Sequence, residues 1–302
     1  MLEGKSIGRS DHMTTWAYVI GIAIIILCIV EWIREVVTFK VTHYPITSSK
    51  LKGLKKEQKI IFLSDLHNNR YGKGNERLIK AIEEEQPDVI LVGGDMLVGV
   101  AGISTEVART FVTALTKIAP VFCANGNHEQ RMKEYPDIYG DTYDEYKKAL
   151  LECGVTFLEN SSIDMKWDDC DVRITGLEIP PECYAKFRPT FLKVEEVKER
   201  IGEIEQETFQ ILLAHNPKYM ETYKEWGADV ILSGHYHGGM VRIPGLGGMI
   251  TPQGKLFPTY SGEYTKEGER SIIVSRGIGM HTIRLRFLNP AEVIVLEFQP
   301  TK

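Results

Sequence analysis

Two features that define other classes of protein are missing from this 302-residue sequence. None of its five cysteines stands in a Cys-x-x-Cys pair, which excludes the common zinc-binding and dithiol redox motifs. An excess of basic residues is also missing, because 36 lysines and arginines face 41 acidic residues and the net charge is −5. Binding to nucleic acid is therefore not expected, since nonspecific affinity for a phosphate backbone depends on basic side chains.

Charged residues are also missing from positions 13–30, an apolar stretch that would form a helix of about 27 Å, close to the thickness of a hydrocarbon core. No small-x-small cleavage site follows it. We therefore predict an uncleaved, single-pass anchor in the cell membrane over residues 13–33, with a cleaved signal peptide as the alternative. Basic residues occur on both sides of this stretch, so the sequence does not decide on which side of the membrane the remainder lies.

Beyond the anchor, the sequence divides into a short connection and one long domain. Residues 34–58 are rich in lysine and are interpreted as a basic linker, with Thr38–Lys56 as a solvated tether. Over residues 59–302, apolar runs of strand length alternate with segments of helical periodicity. This pattern predicts an α/β (α+β) fold of two packed mixed sheets flanked by helices. The predicted strands include an antiparallel group at 155–158, 163–167 and 172–175 and a further strand at 283–287.

Five of the apolar runs in this domain end in the same kind of residue. The runs cover residues 59–64, 89–92, 120–124, 209–214 and 229–233. Each leads into Asp, Asn or His side chains, and five of the eight histidines of the chain stand at these ends. Open α/β sheets bind ligands at the carboxyl ends of their strands, and these residue types suit manganese, iron and zinc. We therefore interpret the strand ends as a metal site rather than as a chance series of polar residues.

The strand ends carry an ordered set of motifs, which are D-x-H at 65–67, G-D at 94–95, G-N-H-E at 126–129, H at 215 and G-H-x-H at 234–237. This set resembles the signature of the calcineurin-like metallophosphoesterases, and the resemblance extends over residues 59–298. The tail at 274–279 resembles the membrane-associated, YkuE-like branch of that family. The resemblance implies a sandwich of two sheets between helices, and an enzyme that hydrolyses a phosphomonoester, phosphodiester or pyrophosphate with two divalent metal ions.

The resemblance also implies a role for each motif residue. Asp95 would bridge the two ions, because each of its carboxylate oxygens can bind one of them. The other metal ligands would be Asp65, His67 and His237 at one ion and Asn127, His215 and His235 at the second. The ions would be manganese, iron or zinc, and the sequence does not distinguish among them.

Three further polar residues have roles that the sequence leaves open. His128 would stabilise the transition state or protonate the leaving oxygen, with a structural role as the alternative. Glu129 would orient His128 or lie in solvent. Arg276 would bind a substrate phosphate through its forked donors, and a structural role in the Ser-Arg-Gly turn is equally compatible with the sequence.

The substrate is predicted to be lipid-linked or otherwise amphiphilic. The apolar segment places the domain at a membrane, and the apolar loop at 240–268 follows two predicted ligands and would line the site, unless it packs into the domain. Residues 178–208 form an insert that would affect specificity. The alternatives are a non-catalytic, metal-stabilised binding or scaffold protein and a soluble-substrate phosphodiesterase or nuclease. The sequence indicates no protein partner.

Overall fold

One long helix, α1 (Ile7–Val37), precedes the folded domain. The computed structural model describes residues 7–186, 188–280 and 284–300, with side chains from residue 12 onward. Within α1, His12–Val37 is long and apolar enough to cross a membrane, judged by length and composition alone, and its apolar stretch is not buried against the domain. The core helix of a soluble protein would be buried, so α1 is a candidate membrane span or signal sequence.

Two six-stranded mixed sheets form the domain. In spatial order, the first sheet contains β1 (Phe39–Ile46), β14 (Ala291–Phe298), β2 (Gln58–Leu63), β3 (Val89–Val92), β4 (Val121–Cys123) and β5 (Thr156–Phe157). The second sheet contains β12 (Tyr264–Glu267), β13 (Arg270–Val274), β9 (Val230–Ser233), β8 (Phe209–Ala214), β7 (Cys170–Leu177) and β6 (Ser161–Trp167). Strands β2 to β5 run parallel to one another, as do β7, β8, β9 and β13. A separate small hairpin pairs β10 (Arg242–Ile243) with β11 (Gly247–Gly248).

Side chains alternate along the strands and thereby build three apolar cores. In β2, Ile60 and Phe62 face the second sheet, whereas Ile61 and Leu63 face helices. The helices on the first sheet are α2 (Glu76–Glu84), α3 (Glu106–Leu115), α4 (Asn127–Glu134) and α6 (Thr142–Glu152), with the short α5 (Pro136–Tyr139) between the last two. The helices on the second sheet are α7 (Val194–Ile201) and α8 (Met220–Trp226). The predicted sandwich of two mixed sheets flanked by helices is confirmed.

Part of the segment predicted to be a linker belongs to the first sheet. Strand β1 pairs in parallel with β14 along its full length. Phe39 and Val41 pack against the core on the helix side, whereas Tyr44 and Ile46 pack between the sheets. The prediction of a solvated tether was wrong for these residues, because their apolar side chains serve two different cores and show no single alternating face.

Two strand predictions near the middle and end of the domain were also wrong in part. β5 does not join the antiparallel pair β6–β7 but pairs in parallel with β4, after the crossover through α6. Of the strand predicted at 283–287, the described residues 284–287 form no regular strand, and Phe287 makes only an isolated bridge to Val241. The first residue of that prediction lies outside the described residues.

The core between the sheets yields a stability prediction. Phe298 is fully buried there, with its ring centroid 5.0 Å from that of Trp167 and 5.9 Å from that of Phe209. Phe298→Ala should lower the free energy of unfolding by about 3–5 kcal/mol, because the cavity it leaves cannot close completely. Urea denaturation followed by tryptophan fluorescence measures the loss. Phe191→Ala is the matched control, since this ring is 83% exposed, and an equal loss in both variants would contradict the packing described.

Candidate metal centre

The structure brings together the side chains that were predicted to be metal ligands. They follow β2, β3 and β4 of the first sheet and β8 and β9 of the second, so the carboxyl ends of parallel strands meet at one edge of the sandwich. Two groups of predicted ligands, whose ligand atoms lie within 4.8 Å of one another, are Asp65, His67, His237 and Asp95, His215, His235. A third group, by the same distance, joins His67 and Asp95 to His128. Asn127, the first residue of α4, lines a cleft at this edge together with His67 and His235.

The backbone at these positions is unusual. Five of the seven residues have positive φ angles, namely Asp65 (57°), His67 (46°), Asp95 (55°), His235 (64°) and His237 (47°). Residues other than glycine rarely adopt this conformation, and it persists only where the surrounding structure enforces it. A glycine permits one of these bends, because a Cβ atom on Gly126 would lie 2.2 Å from Asp95 Oδ1. The tight bends aim side chains from separate loops at one volume.

Short distances connect the two groups. His237 Nε2 lies 3.3 Å from Asp65 Oδ1 and 3.1 Å from His67 Nε2. Asp95 Oδ2 lies 3.7 Å from His67 Nε2 and 3.2 Å from His215 Nε2. Asp95 therefore stands between the two groups, as a bridging ligand would.

The hydrogen bonds of two histidines prepare them for metal binding. His67 Nδ1 lies 3.2 Å from the carbonyl oxygen of Leu97, and His215 Nδ1 lies 2.7 Å from that of Gly93. Each Nδ1 therefore donates its proton to a carbonyl, and each Nε2, once deprotonated, would present a lone pair to a metal ion. His215 Nε2 and Asn127 Oδ1 are shielded from solvent and accept no hydrogen bond from the described residues. Such orphaned acceptors, beside two buried carboxylates, fit divalent metal ions.

The pKa shifts of the buried acidic and histidine side chains also fit a metal site. Burial raises the pKa of Asp65 to about 6, with His215 opposing the rise and Asp95 adding to it. Burial would raise the pKa of Asp95 too, but His128, His215 and His67 outweigh it and hold this pKa well below its usual range. Burial would lower the pKa of His215, yet the Asp95 carboxylate raises it to about 9. Because both carboxylates are buried, their ionised forms are stable only with positive charge nearby, which histidines or metal ions can supply.

Glu129 has a role that the sequence analysis missed. It is buried, and its carboxylate accepts the backbone N–H of Asp95 (2.7 Å), Leu97 (2.8 Å) and Gly126 (3.1 Å). Burial raises its pKa to about 7, together with the charge of Asp95. Glu129 thus orients the loop of Asp95 rather than His128, and a position in solvent was wrong. Asp95 and Leu97 lie more than thirty residues away, so no local pattern indicates that Glu129 holds this loop.

His128 lies beside the ligands, with its main chain fixed to one of them. Its backbone N–H donates to Asp95 Oδ1 at 2.8 Å, and its Nε2 lies 3.8 Å from Asp95 Oδ2. Its Nδ1 accepts the backbone N–H of Gly99 at 2.6 Å, and Arg131 Nη2 lies 3.4 Å away. The accepted bond places the ring proton of neutral His128 on Nε2.

A cleft of about 600 Å³ opens from this centre. Its polar end contains His67, Asn127, His128 and His235. Its other walls are formed by Val98, Val100, Tyr135, Pro181, Tyr184, Ala185, Pro252 and Met280, with Gln130, Arg131, Lys186 and Gln253 as further polar residues. The insert at 178–208 therefore borders the cleft. The loop at 240–268 contributes Pro252 and Gln253, whereas Leu256 and Phe257 are exposed and do not line it, contrary to the expectation for this loop.

Arg276 is not among the residues that line the cleft. Its Nε donates to the carbonyl oxygen of Gly262 at 2.9 Å and lies 3.9 Å from Glu292 Oε2. Its backbone N–H donates to the same buried carboxylate at 3.0 Å. This is the structural arrangement that the sequence left open as an alternative, and a contact with substrate stays a prediction.

Comparison with known proteins gives consistent results. The family model of the calcineurin-like phosphoesterases matches residues 58–239. The chain is 27% identical over 250 residues to the uncharacterized metallophosphoesterase YkuE of Bacillus subtilis, covering 80% of this chain and 79% of YkuE. It is 22% identical over 272 residues to the UDP-2,3-diacylglucosamine pyrophosphatase LpxG of Chlamydia muridarum, covering 79% of this chain and 82% of that protein.

A third relative is longer than this chain. An uncharacterized metallophosphoesterase of Helicobacter pylori is 27% identical over 270 residues, which cover 86% of this chain but only 64% of the relative. The matched family region contains every strand end that carries a predicted ligand. This chain belongs to the calcineurin-like phosphoesterase family.

Proposed function

We propose that this chain is a membrane-anchored, dinuclear metallophosphoesterase that hydrolyses a phosphoester or pyrophosphate bond of a lipid-linked or amphiphilic substrate. The observation that carries the proposal is the convergence of the ligand groups and His128 at one end of a cleft with largely apolar walls. The similarity to a UDP-2,3-diacylglucosamine pyrophosphatase supports a diacylated pyrophosphate as one substrate class. A non-catalytic scaffold is disfavoured, because neither the ligand set nor His128 is broken.

The proposed ligand sets share one carboxylate. Asp95 would bind both ions, with Asp65, His67 and His237 at one and Asn127, His215 and His235 at the other. When bound, the ions would supply Lewis acidity toward the phosphoryl group and an activated water. The chain itself supplies the fixed orientation, since Glu129 holds the Asp95 loop and Asp65 accepts the backbone N–H of His235 at 3.0 Å.

His128 would act as a hydrogen-bond donor to the phosphoryl group. In the neutral ring the proton is on Nε2, because Nδ1 accepts the backbone N–H of Gly99. This proton could be donated to an oxygen that gains charge in the transition state.

The anchor would be retained rather than cleaved. Glu35, near the end of α1, is 1% exposed, and Trp32 Nε1 donates to the carbonyl oxygen of Arg284 at 2.9 Å. The helix ends at Val37 and β1 begins at Phe39, so the first sheet starts almost directly after it. A removable signal peptide has no need of such contacts with the mature domain, whereas an anchor that holds the cleft near a bilayer benefits from them.

The metal centre yields a prediction that separates binding from catalysis. His128→Ala should retain the metal ions and lose about 10²–10³-fold in kcat, the usual effect of removing one transition-state donor. Asp95→Ala should lose metal as well as activity, because it removes the shared ligand. Metal content is measured by mass spectrometry and turnover with an aryl phosphodiester in the presence of manganese.

The controls for this prediction use the same chain. His128→Gln retains an N–H donor and should keep more activity than the alanine variant. His43→Ala, at the exposed edge strand β1 where His43 contacts Glu297, should leave both metal content and activity unchanged. Loss of metal in His128→Ala together with its retention in Asp95→Ala would contradict the assigned roles.

The apolar walls of the cleft yield a prediction about substrate. Val100→Ser should lower kcat/KM for a lipid phosphoester in liposomes by about 10-fold, because burying a valine side chain contributes roughly 1.5 kcal/mol. A water-soluble phosphoester with the same head group should be unaffected. Leu246→Ser is the control, since this side chain is 64% exposed and does not line the cleft. Equal effects of Val100→Ser on both substrates would refute the lipid assignment and leave the metal chemistry intact.

A further inference from the structure

A buried polar connection joins the last turn of α1 to the loop that carries His235 and His237. Both carboxylate oxygens of Glu35 accept the backbone N–H of Asn289, at 3.0 and 2.9 Å. Asn289 is fully buried, and its Nδ2 donates to the carbonyl oxygens of His237 (2.7 Å) and Met240 (3.2 Å). Asn289 thus connects the end of the apolar helix to a proposed metal ligand through hydrogen bonds on both sides.

The loop held by Asn289 needs such support. His235, His237 and Met240 all have positive φ angles, of 64°, 47° and 53°, so their backbone lies in a region that side chains disfavour. The amide of Asn289 also fills the inner side of the bend, because a Cβ atom on Gly238 would lie 2.1 Å from Asn289 Oδ1. The conformation of this loop therefore depends on a side chain that lies 52 residues after His237 in the sequence.

The same short segment supports a second part of the centre. Arg286 is fully buried and donates to the carbonyl oxygens of Arg276 (2.7 Å), Gly277 (3.0 Å) and Gly279 (2.6 Å). This turn packs on Asp65, since a Cβ atom on Gly277 would lie 2.8 Å from Asp65 Cβ. Arg286 also donates to the carbonyl oxygen of Asn289 at 3.1 Å, so Glu35 and Arg286 hold the segment through opposite charges.

We propose that Glu35 and Asn289 are positioning residues for the metal centre, so that the end of the apolar helix is a structural part of the active site and not only its attachment. The inference rests on the two-ion function proposed above. The effect is selective, because Asn289 holds the carbonyl of His237, a ligand grouped with Asp65 and His67. Asp95 and His215 are held by Glu129 and Gly93 instead.

The test uses the full-length chain in detergent, prepared without metal and titrated with Mn²⁺ alone. Asn289→Ala and Glu35→Ala should weaken the binding of one Mn²⁺ by about 10–100-fold, the usual effect of removing a group that orients a ligand, while the second ion binds as in the wild type. Electron paramagnetic resonance of the loaded variants should accordingly lose the coupled signal of an ion pair and show isolated Mn²⁺. Glu35→Gln retains one acceptor oxygen for the N–H of Asn289 and should restore most of the affinity.

A matched control, a glutamate on a helix without contact to Glu35, lies in α2. Glu84→Ala removes a glutamate whose side chain is 65% exposed and pairs with Lys80, and it should bind two Mn²⁺ as the wild type does. Two ions bound with unchanged affinity in Asn289→Ala and Glu35→Ala would overturn the inference. A general loss of folding, seen as a lower unfolding midpoint without metal and not rescued by Glu35→Gln, would overturn it as well. Failure of the wild type to bind two ions would instead count against the proposed function.

Discussion

The burial of Asp65 and Asp95 in one volume is the constraint on which the remainder of the site depends. Neither carboxylate reaches solvent, and an ion removed from water is stable only with compensating charge and hydrogen bonds. Histidines from both sheets supply part of this compensation, and divalent ions would supply the rest. The two sheets must therefore present the carboxyl ends of their parallel strands to each other, which fixes their alignment in the sandwich.

Holding these groups together requires backbone conformations that the chain would not adopt on its own. Buried charged side chains outside the ligand set provide the support. Glu129 accepts three backbone N–H groups around Asp95, and Arg286 donates to four carbonyl oxygens beside Asp65 and the Asn289 turn. Each satisfies many backbone groups at once, so the strain of the ligand loops is distributed over a rigid surrounding structure.

The apolar helix and the catalytic domain form a continuous unit. Helix α1 is exposed over its apolar stretch, yet its last turn places Glu35 against Asn289 in a fully buried position. Strand β1 follows almost at once and completes the edge of the first sheet. Under the membrane anchoring proposed above, this attachment would hold the cleft at a defined height above the bilayer.

The sequence by itself determined the buried strands, the Asp, Asn and His motifs at their ends and the two-sheet architecture, because apolar runs of strand length and short motifs are local signals. The position of strand β1 and the roles of Glu129 and Glu35 were decided only by the tertiary structure. The apolar side chains of β1 divide between two cores and so leave no one-sided pattern. Glu35 contacts a residue 254 positions away, and Glu129 contacts others more than thirty away. A hydrogen bond between such distant segments has no periodic trace in the sequence, so only the folded chain decides which acidic residues are buried and what they hold in place.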